Sequence, residues 1–256
     1  MRRAIVRRVF TPEERAEVRE RVFALAREDE RVSGGAITGS GALDAEDAWS
    51  DIDTSFGVVD GVDPLEVLED WTRALDAELD FVHWWDLHHG GTIYRVYLLP
   101  SSLELDIAVT PASEFAQRGP RFKLVFGEAG ELREQPEPNL DEAIGLGWLA
   151  ALVARFAIER GKPWQALFFV SLLREQALGL ACIRHGLPPE YARGTDQLTP
   201  EVTGRYEATL PRSLDLPELR RALAAGTSAF VSEVGEAKPE LAKRLALVLQ
   251  DITALA

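Results

Sequence analysis

Residues 39–53 read GSGALDAEDAWSDID, and this stretch decides the fold that we predict. Gly39 and Ser40 follow a short apolar run, so they stand where a strand is expected to end. Asp51 and Asp53 open a second apolar run, and residues two apart in a strand share a face. Neighbouring carboxylates repel each other, and strands disfavour Asp. A divalent cation would offset that cost, because hard cations prefer oxygen ligands.

A later strand supplies further carboxylates. Residues 102–109, SLELDIAV, alternate between apolar and acidic side chains. Period-2 alternation puts the apolar residues on one face and Glu104 and Asp106 on the other. If this strand belongs to the same sheet, either acid can join Asp51 and Asp53 at the end of the Gly39-Ser40 turn, whose backbone N–H groups can bind phosphate.

This arrangement resembles the nucleotidyltransferase superfamily that includes DNA polymerase beta. In that family a strand ends in Gly-Ser, a short helix follows, and the next strand carries Asp-x-Asp. The resemblance implies an α+β fold, in which a mixed-sheet nucleotidyltransferase domain is followed by an all-α helical bundle. It also implies transfer of a nucleoside monophosphate from a nucleoside triphosphate such as ATP, with Mg²⁺ as cofactor.

Roles for single residues follow from the same resemblance. Gly39 and Ser40 are expected to bind the nucleotide. The metal ligands are expected to be Asp51, Asp53 and Asp106. Glu104 or Asp106 would accept the proton of the attacking hydroxyl, and the alternation does not choose between them.

The chain departs from the family pattern at two positions. Many relatives carry an Arg and then a Gly where this chain has Leu43 and Asp44. The missing Arg removes one phosphate contact. Nucleotide binding is then either weaker, or another cation replaces the Arg. Arg118, Arg121 and Lys123 cluster further along the chain, near phosphates or simply on the surface.

Composition narrows the functional classes. The 256 residues carry a formal net charge of −14, which argues against nucleic-acid binding, because such proteins need a basic face. The charge fits a small cationic acceptor, or it only keeps the protein soluble. Cys182 is the single cysteine, which favours a reducing, cytoplasmic location. We found no apolar run of membrane-spanning length and no signal-peptide core, and we therefore expect no membrane association.

A polar, Pro-rich joint at residues 135–139 predicts a domain boundary. We predict a nucleotidyltransferase domain over residues 1–136 and a helical domain over residues 137–256. Within the first domain we expect a strand over residues 81–87, a turn at residues 88–91, and little regular structure over residues 115–139.

The helical half adds to the resemblance. A nucleotidyltransferase domain followed by a helical bundle looks like the aminoglycoside adenylyltransferases. Residues 161–166 and 174–177 resemble the helix pair of bacterial relatives with no agreed substrate. Arg174 and Glu175 are candidate contacts to phosphate or acceptor, or they form an ion pair within the protein.

Three functions remain open from the sequence. The first is transfer of AMP to a hydroxyl of a small, aminoglycoside-like acceptor. The second is an antitoxin-like enzyme that modifies a partner protein. The third is a non-catalytic nucleotide-binding relic of the fold.

Overall fold

The computed structural model describes residues 9–117, 119–133 and 137–254. The chain divides into two compact units, Met1–Pro136 and Glu137–Ala256, which are described one at a time. Arg118 and residues 134–136, which include the first two residues of the predicted joint at 135–139, lie outside the described residues.

The first unit is built on a six-stranded mixed sheet. Its elements are α1 (Pro12–Glu28), β1 (Val32–Thr38), β2 (Ile52–Val58), α2 (Pro64–Leu79), β3 (His83–His89), β4 (Thr92–Leu98), β5 (Glu104–Pro111) and β6 (Phe122–Gly127). The strand order is β3-β4-β5-β2-β1-β6. Strands β2 and β5 pair in parallel, and the other neighbours pair antiparallel. The predicted α+β class with a mixed sheet is confirmed.

Both helices of this unit begin with matching cap chemistry. The Thr11 side chain accepts a hydrogen bond from the backbone N–H of Glu14, and Asp63 does the same for Leu65. A proline occupies the first turn of each helix, where its missing N–H costs nothing. These caps fix where α1 and α2 start.

One face of the sheet packs into the core with α1 and α2. The Phe56 ring in β2 lies 5.3 Å from the Phe23 ring of α1 and 5.0 Å from the Trp71 ring of α2, measured between centroids. All three side chains are buried. Aromatic pairs at these separations add to the area that they bury, so this contact ties both helices to β2.

Two local expectations for this unit were wrong. The strand expected over residues 81–87 instead begins at His83, and it ends at His89 because His88 and His89 pair with Ile93 and Thr92 of β4. The turn is therefore confined to Gly90 and Gly91. Strand β6 forms within a segment for which little regular structure was expected, and it pairs antiparallel with β1.

The second unit is helical, as predicted for the region that follows the sheet. Its elements are α3 (Leu140–Glu159), α4 (Pro163–Arg184), α5 (Pro200–Glu207), α6 (Leu216–Ala237) and α7 (Pro239–Ala254). Asn139 caps α3 by accepting from the Glu142 backbone N–H. The core is formed mainly by α3, α4 and α6, with small residues such as Ala150, Ala154 and Ala166 fully buried.

One helix of this unit differs from the expectation about membranes. By length and composition alone α4 could cross a membrane, with a mean hydropathy of 1.6. Its buried residues include Val170, Leu173 and Leu180, which belong to the core of the unit. Core packing explains part of this apolar character, while Trp164 and Phe168 of the same helix are exposed.

Candidate functional site

The site is organised by the parallel pair β2 and β5. The register places Asp53 opposite Asp106, between the buried pairs Ile52–Leu105 and Thr54–Ile107. The Thr54 Oγ1 donates to the Asp106 carbonyl oxygen over 2.9 Å. Alternation along both strands sends the flanking apolar side chains into the core and the two carboxylates to the other face.

The Asp106 carboxyl group carries the strongest electrostatic perturbation at this site. Burial, followed by the charges of Asp53, Glu104 and Asp51, raises the pKa of Asp106 to about 7. Its Oδ1 atom is buried and has no hydrogen-bond partner among the described residues. A buried acceptor without a partner is costly, so this atom is positioned for a ligand that the protein itself does not supply.

Glu104 and Asp51 flank this pair. Glu104 begins β5 one pleat before Asp106, and it lies opposite Leu98 of β4. Partial desolvation, and then the charge of Asp51, raises the pKa of Glu104. Asp51 precedes β2 directly and is half-buried. The four acids therefore share one electrostatic environment.

The turn after β1 lies against one of these acids. Gly39 has φ +61°, and a Cβ atom built on it would lie 1.8 Å from Asp53 Oδ2. Any side chain at position 39 would therefore have to displace the carboxylate as well as adopt a left-handed backbone. Ser40 follows and caps the short 3₁₀ turn Gly41–Leu43. The structure thus brings the Gly39-Ser40 turn to Asp53.

A cavity of about 220 Å³ opens on this face of the sheet. Polar side chains line much of it, and the lining includes Thr38, Asp53, Ser55, Thr92, Tyr94, Asp106, Thr110, Glu114, Arg121 and Phe122. The cavity is partly enclosed, has both polar and apolar walls, and contains both facing carboxylates. It is suited to a polar ligand that brings its own counter-charge.

The side chains present fit a hard divalent cation by their chemistry. All candidate ligands are carboxylate oxygens, and the buried Oδ1 of Asp106 lacks a partner among the described residues. As the side chains stand, no group of three His, Cys, Asp or Glu in the described ranges is placed to hold a metal by itself. Mg²⁺ is typically bound through one or two carboxylates, with water and substrate phosphates as the other ligands, so a facing pair meets its requirement.

Leu43 and Asp44 follow Gly39 and Ser40 in the same turn region. Leu43 is 45% exposed. Asp44 adopts a left-handed conformation with φ +52° and forms an ion pair with Lys123 of β6, with 2.8 Å between Oδ1 and Nζ. Asp44 therefore ties the turn to β6. Asp is one of the residues that tolerate a positive φ.

Sequence reasoning missed one residue that positions the site. The Arg15 side chain is buried, and its Nη1 donates to the backbone carbonyl oxygens of Asp47 (2.6 Å) and Ser50 (3.0 Å). Arg15 and Arg19 also form ion pairs with Glu46. The loop before Asp51 is thus fastened to α1. Arg15 lies three and seven residues before the buried Val18 and Val22, and this helical spacing could have indicated that its side chain faces inward.

The two candidates in the second unit lie on α4. The Arg174 side chain is half-buried, and its Nη1 has no hydrogen-bond partner among the described residues. Burial lowers the pKa of Arg174, and the charge of Glu175 opposes that shift. Glu175 is exposed and lines a separate cavity of about 240 Å³ within this unit.

Comparisons with known proteins give distant structural likenesses. The sequence matches no family model and no curated protein. An aminoglycoside 6-adenyltransferase from Bacillus subtilis is similar in structure, with 12% identity, a TM-score of 0.43, and coverage of 95% of this chain and 99% of that chain. A nucleotidyltransferase-like protein from Exiguobacterium sibiricum shares 14% identity with a TM-score of 0.36, covering 86% of this chain and 77% of that one.

Proposed function

We propose that the protein is a Mg²⁺-dependent nucleotidyltransferase that moves AMP from ATP to a hydroxyl group of a small, cationic acceptor in the cytoplasm. The observation that carries the proposal is the pairing of Asp53 with Asp106 on adjacent parallel strands, with the Gly39 turn in contact with Asp53. Paired carboxylates beside a glycine turn suit a metal-bound triphosphate better than an uncharged ligand.

The reaction forms one bond and breaks one. The acceptor hydroxyl oxygen attacks the α-phosphorus, the bond between the α-phosphorus and its bridging oxygen breaks, and pyrophosphate leaves. Asp53 and Asp106 would hold Mg²⁺ with the phosphates as further ligands, with Asp51 as a third ligand if its side chain turns towards them, and the bound ion would supply charge neutralisation for the triphosphate. The Gly39-Ser40 turn would donate N–H groups to phosphate oxygens. Glu104 or Asp106 would accept the proton that the hydroxyl loses.

Glu104 is the better candidate for the base if Asp106 holds the metal. Glu104 is exposed at the start of β5 and shares the face of Asp106. Glu104→Gln should then reduce turnover and leave Mg-ATP affinity nearly unchanged. In contrast, Asp106→Asn should reduce both. Equal turnover in Glu104→Gln and the wild type would leave Asp106 as the base.

The charge supports a cationic acceptor. The net charge of −14 and the acids of the cavity produce a negative potential that attracts cations. Acceptor affinity should therefore fall as salt rises, because exposed charges are screened over about 10 Å at 0.1 M ionic strength. Arg174 and Glu175 are proposed as further contacts to phosphate or acceptor.

The decisive experiment is transfer of label from ATP labelled at the α-phosphate. A panel of hydroxyl-bearing amines, aminoglycosides and proteins is incubated with the wild type, Asp53→Asn and a matched control, Glu114→Gln. Glu114 lines the same cavity but lies outside the group of four acids. We expect Mg²⁺-dependent labelling of a small amine with the wild type and the control, and none with Asp53→Asn.

The same assay separates the alternatives. Label that appears on a protein and on no small molecule would favour the antitoxin-like reading. Binding of Mg-ATP without any transfer would favour the non-catalytic relic. A wild type that binds no nucleotide in the presence of Mg²⁺ would contradict the proposal.

A further inference from the structure

The side chain of Arg121 lines the cavity on the side of the Gly39-Ser40 turn. Arg121 is the one Lys or Arg among the described residues that line it. The last residue pair between β1 and β6 joins Thr38 to Phe122. Because the two strands run antiparallel, Arg121 precedes Phe122 at the same end of the sheet where Gly39 and Ser40 follow Thr38. Arg121 is therefore next to the turn that contacts Asp53.

Arg121 has no polar partner among the residues that the structure describes. It is exposed, and within the described parts of the chain it makes no hydrogen bond or ion pair. Asp53, Asp106 and Glu114 all line the same cavity, yet none of them is paired with Arg121. A guanidinium that shares a cavity with several acids but is not paired with them remains available for an anionic group of a ligand.

The neighbouring cation, Lys123, already has an anionic partner within the protein. Lys123 lies two residues further along β6 and forms its ion pair with Asp44. The cation that compensates for Leu43, where many relatives have Arg, is therefore better sought at position 121 than at position 123. Asp44 contributes to this division, because it neutralises Lys123 and leaves Arg121, directly before β6, without a partner among the described residues.

We propose that Arg121 binds the β- or γ-phosphate of the nucleoside triphosphate and replaces the phosphate contact that Leu43 cannot make. This inference rests on the proposed function. It assigns the triphosphate tail to the Gly39-Ser40 side of the cavity, between Arg121 and the metal-binding acids. The nucleoside and the acceptor are then left to the β4 side, which Thr92 and Tyr94 line.

The test measures binding and not turnover. Calorimetry gives the affinities of the wild type, Arg121→Gln, Arg121→Lys and Lys123→Gln for Mg-ATP, AMP and inorganic triphosphate. Arg121→Gln should weaken Mg-ATP and triphosphate binding roughly tenfold or more, because a hydrogen bond to a charged group is lost. AMP affinity should change less than about twofold, since AMP lacks the outer phosphates.

The control variants make the result specific. Lys123→Gln removes one positive charge two residues away from Arg121. It should leave Mg-ATP affinity within about twofold, because Lys123 forms an ion pair with Asp44. Arg121→Lys should restore a large part of the loss, since it keeps the charge. Unaltered far-UV circular dichroism and melting temperature are expected for all three variants, because both positions are exposed.

Each outcome decides the inference. Unchanged Mg-ATP affinity in Arg121→Gln, with a wild type that binds, would overturn the role of Arg121 and leave the proposed function standing. Equal losses in Arg121→Gln and Lys123→Gln would also overturn it, because the effect would then be one of general charge. A wild type that does not bind Mg-ATP would overturn both the inference and the proposed function.

Discussion

The two faces of β2 and β5 differ completely in what they carry. On one face Phe56 and Ile107 are fully buried against the helices. On the other face, three residues from Phe56 along β2 and one residue from Ile107 along β5, Asp53 and Asp106 lie opposite each other beside a cavity. Alternation along a strand allows this separation, since neighbouring residues serve opposite faces. One face stabilises the unit, and the other can hold charges that reduce stability.

The largest expected effect comes from breaking the core face. Phe56→Ala removes a ring that contacts both Phe23 and Trp71, and we expect the free energy of unfolding to fall by about 3–5 kcal/mol. Ser55→Ala, on the cavity face next to it, should change stability by less than about 0.5 kcal/mol. Urea denaturation measures both. Similar losses in the two variants would show that the faces are not divided in this way.

A smaller effect is expected at the turn that contacts the cavity face. Gly39→Ala should lower the free energy of unfolding by about 1–2 kcal/mol through its left-handed backbone, and it should also weaken Mg-ATP binding because the methyl group displaces Asp53. Gly61→Ala is the matched control, since Gly61 has φ +87° and nothing within 4 Å of an added Cβ. If both variants bind Mg-ATP as the wild type does, the contact with Asp53 has no role in binding.

Replacing an acid on the cavity face should have the opposite sign. Asp106→Asn relieves the repulsion with Asp53 and gives the amide group a carboxylate to donate to, so we expect about 1 kcal/mol of added stability without metal. Mg-ATP affinity should fall in the same variant. Asp86→Asn provides the contrast, because Asp86 pairs with the buried Arg95 and its loss should destabilise the unit. A less stable Asp106→Asn protein would contradict the account of repulsion.

The smallest effect concerns pH on the core side. Hydrogen bonds from Arg31, with a smaller contribution from Trp71, lower the pKa of Asp29 to about 2. The folded-state pKa is below the ordinary value, so this stabilisation is present above about pH 4 and is lost as the pH falls towards 2. We expect a contribution of about 1 kcal/mol, reduced by the solvent exposure of Arg31. Denaturation curves for the wild type and Asp29→Asn should converge towards pH 2.

The division between the faces was predictable from the sequence, and its surroundings were less so. Strand alternation, a local pattern, predicts which face Asp53 and Asp106 occupy, whereas the pairing of their strands in one sheet was expected only from the resemblance. The residues of β6, FKLVFG, alternate weakly, and the strand forms through its pairing with β1, which is distant in the chain. Propensity depends on such context.

Arg15 shows a second limit of sequence reasoning. An arginine on the inner side of an amphipathic helix looks like an exception to the pattern until its partners are known. Those partners are backbone carbonyl oxygens of residues 47 and 50, and the sequence gives no sign of a carbonyl that is turned towards a helix. His88 and His89 show a similar limit, because adjacent glycines favour a turn while the hairpin extends the strand.

The parallel pairing of β2 and β5 also has a consequence for how the site comes into existence. Thr54 and Asp106 are separated by 52 positions in the chain, and α2, β3 and β4 lie between their strands. The ribosome must therefore complete β5 before the two acids can meet, and closing so long a loop is slow. A polypeptide that ends before β5 would carry the Gly-Ser turn and Asp-x-Asp, but it would lack the facing acid. A metal ion could therefore bind between Asp53 and Asp106 only after most of the sheet has been synthesised.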